Sequence, residues 1–224
     1  MNKKEDNRIC TIDNGVDIAK YHDAQPIARE SIGSNDGKFV IVMVAGFREQ
    51  KDQDTLIRAV SKLPKERFEL WLVGDGARRR QLELLVDSLQ LKERVSFLGI
   101  RMDVPNILKA ADVVVMSSHW EGLSLSNIEG MSVGKPFVAS DVNGLREVTE
   151  GYGILFPHGD DGALASIILQ LSEDRAYYQK VASRCYERAR QFDISKMVEA
   201  YNEIYETFFA SEASPDVAER TIEH

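Results

Sequence analysis

From residue 39 onward, short unbroken apolar runs alternate with longer stretches in which apolar positions recur every three or four residues. The runs at 39–44, 69–73, 95–98, 113–116, 136–139 and 153–156 mostly lack the polar alternation of a sheet with one wet face. They predict strands buried on both sides, as in a parallel sheet covered by helices. The stretches between them, 54–63, 78–91, 104–110, 125–133 and 145–150, carry helical patterns. Repeated strand–helix alternation predicts an α/β domain built on a doubly wound parallel sheet.

Beyond residue 161 the pattern changes to helix after helix, at 163–171, 175–192 and 195–209. In the last of these, Met197, Tyr201, Ile204, Tyr205 and Phe208 fall on one face, and Ser195 is placed to cap its start. The chain therefore divides into a polar N-terminal segment over 1–37, a main domain with extra C-terminal helices over 38–209, and a tail over 210–224. The small, polar, acidic composition of the tail predicts disorder.

Composition narrows the function classes. A length of 224 residues, 43% hydrophobic and 29% charged, suits an ordinary water-soluble domain with a sizeable core. The longest apolar runs, 39–45 and 110–116, are too short to span a bilayer, and no apolar signal segment follows Met1. A cytoplasmic location is the expectation. A formal charge of −8 argues against nucleic acid as a partner, because phosphate binding needs a basic surface. Cys10 and Cys185 belong to no paired motif and read as reduced, incidental thiols. His22, His119, His158 and His224 show no metal-ligand spacing, so no metal is expected.

An open parallel sheet binds ligands in the loops at the carboxyl ends of its strands. Here those loops are 46–53, 74–78, 99–104, 117–126 and 140–146. The richest follows the strand at 113–116 and reads Ser117-Ser118-His119-Trp120-Glu121-Gly122-Leu123-Ser124-Leu125-Ser126-Asn127-Ile128-Glu129. It turns at Gly122 and enters a helix near Leu125, whose unpaired N–H groups and partial positive charge suit a diphosphate. Glu129, just over one turn in, can accept two hydrogen bonds from a ribose diol. Glu121 lies before the turn, where the rest of such a ligand would extend. The same residues also fit a plainer role, in which Ser124 or Ser126 caps the helix and both glutamates are solvated.

The stretch Glu121-Gly122-Leu123-Ser124-Leu125-Ser126-Asn127-Ile128-Glu129-Gly130-Met131, followed by Gly134-Lys135-Pro136, resembles the signature of retaining glycosyltransferases of the GT-B fold, family 4, also called glycosyl transferases group 1. Asn14-Gly15-Val16-Asp17, Glu49-Gln50-Lys51-Asp52-Gln53, Leu72-Val73-Gly74-Asp75-Gly76, Phe97-Leu98-Gly99-Ile100-Arg101 and Asp141-Val142-Asn143-Gly144-Leu145-Arg146-Glu147 resemble further family motifs in the same order. The resemblance implies a Rossmann-like sheet forming the C-terminal, donor-binding half of a GT-B fold, with 1–37 containing the interdomain linker. It implies sugar transfer from a nucleotide-diphosphate sugar, with a UDP-sugar expected ahead of a GDP- or ADP-sugar. No cofactor or metal is implied.

By the same resemblance, Glu121 contacts the transferred sugar and Lys51 binds the diphosphate, both as catalytic residues. Backbone groups of Ser124, Leu125 and Ser126 complete the phosphate cradle beside Gly122. Glu129 holds the ribose, and residues near Arg101 and Val104 line the base pocket. Family members usually carry an arginine where this chain has Gly46; Arg48, two residues later, either reaches the same phosphate in its place or faces solvent. An N-terminal acceptor-binding domain is implied as a partner that this chain lacks. Any membrane-surface association is expected through that half alone, and the aromatic face of the last helix is expected to favour self-association. A nucleotide-sugar epimerase of the same fold and a non-catalytic nucleotide-binding module are the alternative readings.

Two other motifs lead nowhere. Residues 130–136 resemble a P-loop but are one residue short, end on Pro136 and follow a helix instead of a strand. Gly74-Asp75-Gly76 lacks the third glycine of a dinucleotide fingerprint.

Overall fold

The structure, a computed structural model, describes residues 10–34, 37–122 and 124–212. Six parallel strands form one sheet: β1 Phe39–Val44, β2 Phe68–Val73, β3 Val95–Gly99, β4 Val113–Met116, β5 Phe137–Ser140 and β6 Ile154–Phe156. Their order is β3-β2-β1-β4-β5-β6, so the winding reverses between β1 and β4. This is the doubly wound, Rossmann-like α/β sheet that the apolar runs predict. β1 and β4 are apolar throughout because both faces are covered; Val40, Ile41 and Val42 of β1 are fully buried. Edge strands β3 and β6 are less buried, consistent with neighbours on one side only.

The helices are α1 Ile18–His22, α2 Gln53–Ser61, α3 Arg79–Ser88, α4 Val104–Ala110, α5 Leu125–Ser132, α6 Arg146–Thr149, α7 Asp161–Glu173, α8 Arg175–Ala189 and α9 Ile194–Glu212. α2 contacts α3 and α7, while α1 contacts α4 and α5 and α8 contacts α5 and α6. These two groups supply the helical layers that a doubly wound sheet requires.

Several boundaries differ from the sequence reading for local reasons. The helical pattern at 78–91 stops at Ser88, because Gln90 turns left-handed (φ 56°) and Leu91 N–H folds back to the Val86 carbonyl. The pattern at 175–192 gives α8 and then a separate 3-10 turn, Arg190–Phe192. Ser195 does not cap the last helix. Asp193 does so, accepting from the Ser195 N–H at 3.0 Å and from its hydroxyl at 2.7 Å.

The polar N-terminal segment contains a short helix that the periodicity does not announce. Ile18 and Tyr21 of α1 are buried, and Asp17 caps it by accepting from Lys20 N–H. Val16 forms an isolated parallel bridge with Asp193, which joins this segment to the start of α9. Gly15 is required there, since a Cβ on it would lie 2.6 Å from Ile194 Cα. Tyr201 and Tyr205 on α9 are exposed, as are Ile194 and Val198. The side chain of Phe208 and the tail from residue 213 lie outside the described residues.

Candidate donor site

The reversal between β1 and β4 opens a crevice at the carboxyl ends of these strands, where this topology binds ligands. β1 leads into a 3-10 turn, Glu49–Lys51, and β4 leads into the loop that carries Glu121. The two loops meet. Lys51 Nζ forms an ion pair with Glu121 Oε1, with side-chain exposures of 18% and 7%. The Ser118 hydroxyl donates to the same carboxylate oxygen at 2.6 Å.

Serines at the strand ends hold these loops in register. Ser117 Oγ, fully buried, donates to the Asp52 carbonyl at 2.8 Å. Ser140 Oγ, at the end of β5, donates to the Ser118 carbonyl. Backbone bonds add His119 N–H to the Gln50 carbonyl at 2.7 Å, and the Gln50 side-chain amide donates to the Trp120 carbonyl at 2.8 Å. Gly144, in the loop before α6, packs against the Glu121–Gly122 backbone. Its φ is +84°, and a Cβ there would lie 2.2 Å from the Glu121 carbonyl oxygen. No other residue type satisfies both conditions.

Ser124 occupies the N-cap position of α5, yet its side chain makes no capping hydrogen bond. The plainer reading of Ser124 as a side-chain cap is therefore not what the structure has. With no acidic residue in the first turn either, the positive end of the helix is not neutralised from within that turn. Gly122 is exposed beside it, Leu125 is exposed, and Ser126 is half-buried.

Glu129 is half-buried on α5 and faces the Tyr21 hydroxyl from α1. Burial first, and then the Glu129 carboxylate, push the Tyr21 phenol well above the usual tyrosine range. Arg48 is exposed, and a Cβ built on Gly46 would lie 3.8 Å from its Nε. Arg48 thus occupies the neighbourhood of a side chain that position 46 lacks. Arg101 and Val104 stand at the end of β3, three strands from β4 and apart from the Lys51–Glu121 pair. The Arg101 guanidinium is held by Asp103 through two hydrogen bonds of 2.8 and 2.6 Å.

Three features escaped the sequence reading. Tyr21 lies in a segment with no helical pattern, so nothing linked it to Glu129. Asn127 is fully buried, and among the described residues neither of its side-chain amide atoms has a hydrogen-bond partner, a detail no composition signal reports. Asp52, His119 and His158, distant in sequence, converge beside Lys51.

The family model described as glycosyl transferases group 1 matches residues 24–192, most of the chain. The chain belongs to the group 1 glycosyl transferases. Among relatives of this group, the lipopolysaccharide core biosynthesis glycosyltransferase LpsD of Rhizobium meliloti is 35% identical over 194 residues, covering 85% of this chain and 56% of LpsD. An Escherichia coli UDP-Gal:alpha-D-GlcNAc-diphosphoundecaprenol alpha-1,3-galactosyltransferase is 29% identical over 211 residues, covering 88% of this chain and 54% of that enzyme. The crystal structure of Anabaena Alr3699/HepE in complex with UDP superposes with a TM-score of 0.80 at 29% identity, covering 88% of this chain and 57% of HepE. Other HepE crystals hold UDP with glucose, or UDP-glucose. These likenesses bear out the GT-B fold assignment. The chain spans just over half the length of these relatives. Among the described residues, no helix is long and apolar enough to cross a membrane.

Proposed function

We propose that this chain is the donor-binding domain of a retaining hexosyltransferase that takes a UDP-sugar and transfers its sugar to an acceptor held by a second domain. The observation that carries this reading is the Lys51–Glu121 pair, set at the β1/β4 crevice beside the uncapped start of α5. UDP in the HepE crystal and UDP-Gal in the name of the E. coli relative support uridine as the base.

In this reading the diphosphate lies against the N–H groups of Ser124, Leu125 and Ser126, with Lys51 and Arg48 supplying positive charge. Charge builds on the diphosphate as the bond to the sugar breaks, and a preorganised ammonium and helix start stabilise it without reorganising. Glu129 accepts from the ribose hydroxyls. Glu121 is exchanged from Lys51 to the transferred sugar as the phosphate draws the lysine away, and Gly122 leaves room beside it. Uracil lies toward Arg101 and Val104, where Ile100 and Met102 are 81% and 95% exposed and offer apolar surface to a base. No step in this scheme requires a cofactor.

Calorimetry with UDP-, GDP- and ADP-sugars tests the proposal. UDP-glucose or UDP-galactose is expected to bind the folded chain, and 2′-deoxy-UDP to bind less tightly than UDP. Replacing Glu129 with alanine is expected to abolish that ribose discrimination. Failure of every nucleotide sugar to bind would sink the reading.

A further inference from the structure

We infer that Asp52, His119 and His158 form a binding site for a divalent first-row metal ion of the zinc class, joining the three loops that follow β1, β4 and β6. One donor atom from each residue lies within 4.8 Å of the other two. His119 Nδ1 is in contact with His158 Nε2 and 3.8 Å from Asp52 Oδ2. Donors around a tetrahedral zinc at its usual bond lengths stand about 3.3 Å apart. The two separations from His119 lie on either side of that value, and the third lies within 4.8 Å, so closing the site calls for side-chain rotation.

The three residues differ in how firmly they are held. Asp52 is 5% exposed and adopts the left-handed conformation (φ 47°, ψ 51°), which aspartate tolerates better than most residues. Its carboxylate accepts from Thr55 N–H at 3.2 Å and Thr55 Oγ1 at 2.6 Å, the kind of outer partner that orients a metal-bound carboxylate. The His119 backbone is fixed by Gln50, and its ring stacks on Trp120 with centroids 6.0 Å apart. His158 is the exposed member, carried by the turn between β6 and α7. Lys51, the neighbouring cation in sequence, is neutralised by Glu121, so the cluster is not electrostatically opposed to a second cation.

Donor chemistry sets the ion class. Two imidazoles and one carboxylate suit zinc, cobalt or nickel, whereas calcium and magnesium favour all-oxygen shells. Three protein donors leave a position open for water or another ligand. Asp52 directly follows Lys51, and His119 precedes Glu121 by two residues, so a bound ion fixes the spacing of the two loops that carry the pair. The inference does not depend on the proposed donor, because the test contains no nucleotide.

The test uses the untagged chain, freed of metal by chelation, titrated with Zn²⁺ by calorimetry and with Co²⁺ by visible absorption. A single saturable equivalent with micromolar or tighter affinity is expected, with Co²⁺ bands of low coordination number. His158→Ala and Asp52→Asn are each expected to weaken binding at least tenfold while keeping the native circular dichroism spectrum. Asn at position 52 preserves both the left-handed backbone and a capping oxygen. Cys10→Ser is expected to bind like the unaltered chain, excluding the exposed thiol as a donor. No saturable binding, or undiminished affinity in either His158→Ala or Asp52→Asn, would overturn the site.

Discussion

Lys51 and Glu121 pair across the point where the sheet reverses its winding, although seventy positions separate them in the chain. The pair keeps two largely buried charges satisfied, and under the proposed function each partner competes with the substrate for the other. Removing either partner therefore has opposite consequences for the ligand. Lys51→Ala leaves the Glu121 carboxylate, among the described residues, with the Ser118 hydroxyl, and is expected to cost about 1–3 kcal/mol of stability. The same change is expected to weaken UDP binding tenfold or more, about 1.4 kcal/mol. Glu121→Gln keeps the side chain's shape and releases Lys51, so UDP affinity is expected to hold or rise. Calorimetry on both variants checks this; equal losses in the two would count against Lys51 as the phosphate ligand.

Position 46 offers a direct test of the missing arginine. A Cβ there meets nothing closer than 3.7 Å, so Gly46→Arg carries no steric penalty at its base. Arg48→Ala is expected to weaken UDP binding threefold to tenfold, in line with one charge-assisted phosphate contact on an exposed side chain (about 0.6–1.4 kcal/mol). Adding Gly46→Arg to that variant is expected to restore affinity. The restored part is expected to shrink as ionic strength rises, which titrations at two salt concentrations measure.

Gly144 is expected to be intolerant for geometric reasons. Alanine there combines a positive φ with a 2.2 Å approach to the Glu121 carbonyl oxygen. The expected loss is about 2 kcal/mol or more, a fall in Tm of roughly 4–8 °C for a chain of this size. Gly122→Ala, with open space around its Cβ, is expected to leave Tm nearly unchanged. Thermal melts of the two variants distinguish a supporting contact from a general sensitivity of the loop.

The two thiols are expected to behave differently. Burial pushes the Cys185 thiol up to about 12, from an ordinary value of 9.0, while Cys10 is exposed. At pH 8 a thiol reagent is expected to modify Cys10 rapidly and Cys185 only on unfolding. A raised native pKa stabilises the fold fully below pH 9. That contribution declines between pH 9 and about 12, as the unfolded thiol ionises while the native one stays protonated. Denaturant midpoints across this range are expected to fall less steeply in Cys185→Ala than in the unaltered chain.

How far the sequence alone reaches depends on the range of the interaction. Strands β1 and β4 are legible because unbroken apolar runs report burial on both faces, a local property of the chain. The loops at the strand ends follow from that, and so does the entry into α5 after β4. Short-range competition blurs the boundaries: Gln90 in the left-handed region ends α3 early, and Asp193 takes the cap for which Ser195 was the candidate. α1 escapes notice because five residues with two buried side chains do not establish a period.

The sequence by itself determined the parallel sheet, the succession of loops and the chemistry each loop carries, because pleat, helical period and turn preference act within a few residues. The tertiary structure decided which of those loops meet. The strand order 3-2-1-4-5-6 places the end of β1 beside the end of β4, and only this neighbourhood joins Lys51 to Glu121. It also places Tyr21 against Glu129 and gathers Asp52, His119 and His158 from three separate loops. Such contacts arise from packing the sheet and its helical layers together, so their spacing along the chain carries no record of them.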